Sequence, residues 1–301
     1  MNDISTIVTR ENKALCIAKL AAQRQIYSNA KILFGVQTFI SVMLLALLSF
    51  AQLILPTIDF TLIIATVSIL AVFTDDFLER RINKLKESAT KIQELFDTYV
   101  LNIKWNSILC QDKPEYDDIC DYFTKYNQKH DLAELHDWYE TEIETIPENK
   151  GVIICQKTNC NYDSKIRKKY NSVILTIGII TIILILLFTI FSDVTLSKIM
   201  LTVFFPALPI IQWTYKNIMA NKESIAIIER LRSLVNSAWE DIREGQTIAD
   251  DRIRQIQDSI FLNRKGNPLV FDFIYNKLRN KLETQIHYTV SQLINELDNN
   301  R

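Results

Sequence analysis

The stretch Ser172 to Phe191, SVILTIGIITIILILLFTIF, carries no charge and is built mostly from Ile and Leu. At about 20 residues it matches the hydrocarbon thickness that a helix has to cross. Ile, Leu, Val and Phe each favour the bilayer by roughly 0.3 to 0.6 kcal/mol, so the summed preference is several kcal/mol. The stretch lies too far from the N-terminus to be a cleaved signal and is expected to be a permanent span.

Three further apolar blocks stand around it. Ile199 to Tyr215 follows after a few residues containing Asp193 and Lys198, which makes a hairpin with the first stretch. Upstream, Ile32 to Leu55 and Phe60 to Phe73 are separated only by Pro56, Thr57, Ile58 and Asp59, which makes a second hairpin. Phe60 to Phe73, about 14 residues long, also suits a re-entrant or buried helix. Spanning is favoured because Arg80, Arg81, Lys84 and Lys86 follow it directly, on the side that carries Arg24 and Lys31. Lys165, Arg167, Lys168, Lys169, Lys216 and Lys222 flank the other pair, whereas the two hairpin tips together carry only Lys198. The positive-inside rule therefore predicts that both termini are cytosolic.

Apolar residues make up 48% of the 301 and charged residues 23%, but the two kinds are segregated into blocks, as in membrane proteins. Five Gly and six Pro are too few for a chain of sheets and turns, so long helices are expected. A net charge of −1 gives no broad attraction to DNA or RNA, and no nucleic-acid partner is expected. Five Cys without a CxxC pair suit free thiols in a reducing cytosol. The expected fold is an all-α integral membrane protein, with two transmembrane helical hairpins and a helical cytosolic bundle. Its parts are an N-terminal amphipathic helix (1–31), the first hairpin (32–74), a helical insert (75–171), the second hairpin (172–216) and C-terminal cytosolic helices (217–301). Within the insert, Gly151 to Cys155 reads as either a short strand or a buried linker. Near the end, Asn267 followed by Pro268 reads as a helix start.

The sequence contains no phosphate-cradling Gly loop, HExxH or nucleophile elbow, so neither an enzyme nor a cofactor is expected. Cys155 and Cys160 with His130 and His136 lack the tight paired spacing of zinc sites and read as ordinary side chains. The spans hold no Asp, Glu, Lys, Arg or His, which disfavours a pump or coupled transporter. Gln37, Thr38, Ser41, Ser49 and Gln52 of the first span fall within roughly one third of an ideal helix circumference. Such a face either bonds across to other helices, the commoner use, or lines water as part of a pore. Pro206 and Pro209 in FPALP each disturb the backbone a turn earlier and predict a kink, a candidate hinge.

Several segments resemble the SMODS-associating four-transmembrane effectors of bacteria. They are LAAQRQIYSNAK (20–31), WYETEIETIP (138–147), CQKTNCNYDSKIRKKY (155–170), FPALPIIQW (205–213) and IQDSIFLNRKGNPLVFDFIY (256–275), in this order and separated by the four apolar blocks. The resemblance implies an oligomeric effector in the bacterial inner membrane. In an antiviral system, a cyclic nucleotide made by a nucleotidyltransferase would switch it on to form a pore. Phosphates of such a messenger need Arg, Lys and amide donors. Near a span these concentrate at Gln156, Lys157, Asn159, Lys165, Arg167, Lys168 and Lys169, of which Gln156, Lys157, Asn159 and Arg167 are the candidate ligand contacts. The rival reading is a non-conducting four-span scaffold or accessory subunit.

Overall fold

A computed structural model describes residues 5–55, 57–191 and 204–299. Every regular element among them is helical. The helices are α1 (Ile7–Glu11), α2 (Ala14–Thr38), α3 (Leu45–Ile54), α4 (Thr61–Val100), α5 (Ser107–Cys110), α6 (Tyr116–Asn127), α7 (Glu148–Phe191), α8 (Phe205–Arg243), α9 (Asp250–Gly266) and α10 (Asp272–Asn299). A π-helical segment, Phe39–Leu44, joins α2 to α3 without a break. The resulting rod, Ala14 to Ile54, is about 60 Å long at 1.5 Å per residue.

This rod and α4 lie antiparallel. Tyr27 meets Thr90, Gln37 meets Asp75, and Gln52 meets Phe60, so residue numbers across the pair sum to a nearly constant value. The stretches Ala14–Leu48 and Thr61–Val100 are each long and apolar enough to cross a membrane. α7 and α8 pair in the same antiparallel sense through Ser164 with Glu229 and Asn161 with Arg232. Farther along, a Cβ placed on Gly178 would lie 2.7 Å from Thr214 Cγ2, which marks a close helix crossing. The six residues between Ile54 and Thr61 leave nothing but an antiparallel pair, as the sequence spacing predicts.

The two ends of these rods bury their side chains differently. At the end holding α1 and the last turns of α10, Phe96, Ile153, Ile154, Trp239 and Ile260 are almost wholly buried, in a core shared by α1, α2, α4, α7, α8, α9 and α10. At the opposite end Leu62, Ile69, Val72 and Phe73 of α4 and Ile179, Ile183, Leu187 and Ile190 of α7 are exposed. An apolar surface of that extent needs a covering that water does not provide.

Two local expectations are corrected. Gly151 to Cys155 is neither strand nor linker but lies in the first turns of α7, where every residue is buried. Helical periodicity of the flanking residues extends through it. Asn267 and Pro268 do not open a helix; α9 ends at Gly266, and an extended connection runs to Asp272. Leu269, buried against Ala30, Leu78 and Ile82, anchors that connection and holds the backbone out of a helix.

Candidate functional site

The polar face of the first rod is built against α4. Gln37 Nε2 donates to Asp75 Oδ1 at 2.9 Å, and Ser41 Oγ donates to the same oxygen at 3.2 Å. Ser41 lies in the π segment, whose wider turn rotates α3 about the rod axis relative to α2. The single polar face drawn on an ideal helix is therefore divided. Gln52 ends up at the α3–α4 turn, where it accepts from Phe60 N at 2.6 Å and donates to Ile58 O at 3.0 Å. The side chain of Ser49 lies outside the described residues.

Gln37, Thr38 and Ser41 open onto a cavity of about 1080 Å³. It is a slot between the first rod, α4 and α8, closed at one end by the α9–α10 connection. Along α4 it reaches from Ser68 to Lys86, about 27 Å at the helical rise. Its chemistry changes along that length. Ser68 lies at one end, Gln37, Thr38, Ser41 and Asp75 share the next level, Glu79 and Lys216 follow, and Lys86, Asn263 and Asn267 lie at the other end. Glu79 and Lys216 face each other at 3.9 Å. Pro209, one of the two candidate hinge residues, sits inside α8 on the slot wall. Pro206 falls at the start of α8, with its side chain outside the described residues.

Lys86 is only 8% exposed, and burial lowers its affinity for a proton, an effect that nearby Arg167 reinforces and the Glu79 carboxylate, a weaker influence, opposes. Among the described residues it meets no carboxylate within ion-pair distance. Arg167 stands behind the slot wall. It pairs with Asp163 at 2.9 Å and donates to Pro268 O at 3.0 Å. Asp163 in turn accepts from Asn267 Nδ2 at 2.9 Å and from Asn263 Nδ2 at 3.2 Å. Arg167 thus supports the closed end of the slot.

The other three candidate ligand residues lie elsewhere. Gln156 is fully buried and donates to Gln257 Oε1 at 3.2 Å and to Ile253 O at 3.1 Å. Asn159 donates to Tyr139 Oη at 3.2 Å. Both belong to a buried hub in which Glu94 pairs with Arg254 at 2.7 Å and Asp97 pairs with Arg264. Gln257 bridges the two carboxylates, and Tyr139 donates to Asp97 at 3.0 Å. Lys157 lies over the Trp239 ring at 5.6 Å. The structure does not gather Gln156, Lys157, Asn159 and Arg167 around one opening. Nor does it bring the two histidines to the two cysteines. His130 stacks on Tyr126, His136 bonds Asn12, and Cys155 and Cys160 are buried in the core.

Sequence reasoning missed Asp75, Glu79 and Lys86. Their spacing of four and seven continues one helical face out of an apolar block, and that signal was available. Treating Phe73 as the end of the span set Asp75 outside, although it stands level with Gln37 and Ser41.

Residues 5–293 match the family model of the SMODS-associating 4TM effector domain. A Bacillus cereus (strain VD146) protein described as a probable CBASS effector molecule is 24% identical over 278 residues, covering 89% of this chain and 92% of its own length. No solved structure matches the chain significantly. Because the family model spans nearly the whole sequence, the chain belongs to the SMODS-associating 4TM effector family.

Proposed function

We propose that this protein is a bacterial antiphage effector of the inner membrane, in which both helix pairs cross the bilayer. On binding a nucleotide second messenger it oligomerises and opens a pore. The observation that carries this reading is the slot, a volume lined by Gln37, Ser41, Asp75 and Lys216 that runs beside helices whose outer surfaces are aliphatic. A purely anchoring bundle has no use for an ionisable group packed at that depth, because each one is costly in lipid. Family membership and the resemblance of the chain to a probable CBASS effector support the defence role.

In the resting monomer Asp75 is tied to Gln37 and Ser41. Pore opening replaces those bonds with water, and Pro209 gives α8 a point at which to bend. A messenger shifts this equilibrium only by the difference between its affinities for the two states.

The test uses purified protein in dye-loaded liposomes, challenged with a panel of cyclic oligonucleotides. Leakage is expected with one of them, and Gln37→Leu and Ser41→Leu should abolish it while leaving inserted, folded protein. Loss of one interhelical hydrogen bond costs only about 0.6 kcal/mol, too little to unfold the bundle. A protein that inserts and binds a messenger without leaking dye would be the non-conducting scaffold.

A further inference from the structure

We propose that the closed end of the slot is a phosphate-binding site whose cation is Lys86. The location rests on geometry, and the identification of a soluble messenger as its source rests on the functional reading above. Lys86 is more than nine-tenths buried and lines the cavity. An ammonium in that setting has given up most of its hydration, and its stability requires an anion or several acceptors. The acids nearby are otherwise placed. Asp75 accepts from Gln37 and Ser41, Glu79 faces Lys216 two turns up α4, and Glu223 is exposed. Asp163 is already engaged by Arg167, Asn263 and Asn267.

A second observation comes from the opposite wall. Asn263 Oδ1 is buried, lines the same end and has no hydrogen-bond partner among the described residues. It asks for a donor beside the anion that Lys86 asks for. A phosphate carrying a neighbouring hydroxyl or amine supplies both, and inorganic phosphate alone supplies only the first. The cavity volume of about 1080 Å³ exceeds what such a molecule needs. Trp213, half-buried on the slot wall beside Phe271 of the α9–α10 connection, offers a flat face for a base or a lipid chain. Two sources share this chemistry, a free nucleotide and a phospholipid headgroup. The site also explains why Arg167 matters without touching the cavity itself. Its bond to Pro268 O holds the connection that forms the floor.

The experiment measures acylation of lysines by mass spectrometry on the full chain in phosphatidylcholine nanodiscs, with and without pyrophosphate. Lys86 is expected to be protected about tenfold at a pyrophosphate concentration ten times its dissociation constant, whereas exposed Lys84, one residue off the slot face, stays unchanged. A second set of nanodiscs contains one part phosphatidylglycerol to two of phosphatidylcholine. Protection there without pyrophosphate assigns the site to a lipid headgroup. Lys86 acylating at one rate in every condition, and at that same rate in phosphate-free maltoside micelles, overturns the proposal. Lys86→Gln is then tested in the leakage assay beside Lys86→Arg, both checked by gel filtration. Loss of messenger-dependent leakage in Lys86→Gln with retention in Lys86→Arg supports a messenger site. Messenger-dependent leakage that survives Lys86→Gln removes the messenger from this site and leaves the pore reading intact. Protection of Lys86 in a protein that never leaks leaves the phosphate site standing and removes the pore.

Discussion

Glu11 is 1% exposed, and its carboxylate accepts the Tyr139 amide at 3.1 Å while Oε1 finds no partner. Burial first, and then the nearby Asp137 and Glu144, push its pKa from 4.5 up to about 8. The folded protein therefore holds this proton over a range in which the unfolded chain has lost it. Stability falls as pH rises from 4.5 through 8 and then levels off, with a penalty of about 1.4 kcal/mol for each pH unit between the two values. Glu11→Gln keeps an acceptor for Tyr139 and removes the charge. It is expected to leave the melting temperature unchanged near pH 4.5 and to raise it at pH 8. Equal melting curves at both pH values would show that the carboxylate is solvated. The hub residues Glu94 and Asp97 are as deeply buried as Glu11, but each has an arginine partner. Burial raises the Glu94 pKa and Arg254 opposes that rise. Removing one member of such a pair leaves the other charged and unpaired, so these positions act on stability before they act on function.

At the scale of the element, the helices were legible because apolar blocks and charged amphipathic runs alternate along the chain with few breakers. Their number and direction are legible too, since links of four residues (Pro56 to Asp59) and seven (192–198) between long apolar blocks favour antiparallel packing. What sequence could not provide was the partner of each polar side chain. Gln37 and Asp75 are 38 residues apart, and Lys86 and Asn263 are 177 apart, so the slot exists only through long-range pairing. The π segment moved Gln52 off the face on which an ideal helix places it. The α7–α8 crossing gives a test of the packing itself. Ala in place of Gly178 should gain about 0.8 to 1.0 kcal/mol in helix propensity. Its Cβ would however stand 2.7 Å from Thr214 Cγ2, on a buried β-branched side chain confined to two rotamers in a helix. Overpacking typically costs about 1 to 3 kcal/mol, so the clash is expected to win and Gly178→Ala to destabilise. Thr214→Ser removes the offending methyl. In that background the same Gly178→Ala change should become neutral or stabilising, by about the propensity difference. Thermal unfolding in detergent reads both signs. A Gly178→Ala protein as stable as wild type would mean that α7 and α8 do not approach this closely.

For the whole molecule, the buried hub joins α4, α7 and α9, and the slot's closed end joins α4, α8 and the α9–α10 connection. Three of these helices continue into the apolar end, so a ligand at the closed end would act on rods that run from the bundle to the exposed aliphatic surfaces. That arrangement requires the bundle, both termini and the slot's closed end to share the cytosolic side, and the native thiols report on it. Cys16, Cys110, Cys155 and Cys160 are buried, and burial pushes all four thiols up, Cys110 and Cys160 to about 12. Such thiols hold little thiolate and react slowly. Cys120 on α6 is exposed and is the native reporter of the bundle's side. In intact spheroplasts an impermeant maleimide is expected to leave the wild-type protein unlabelled and to label Thr57→Cys, which sits at the α3–α4 turn. After permeabilisation Cys120 should label, as should a cysteine at exposed Asn236 on α8. Labelling of Cys120 before permeabilisation would put the bundle outside, invert the positive-inside assignment and remove the closed end of the slot from any cytosolic messenger.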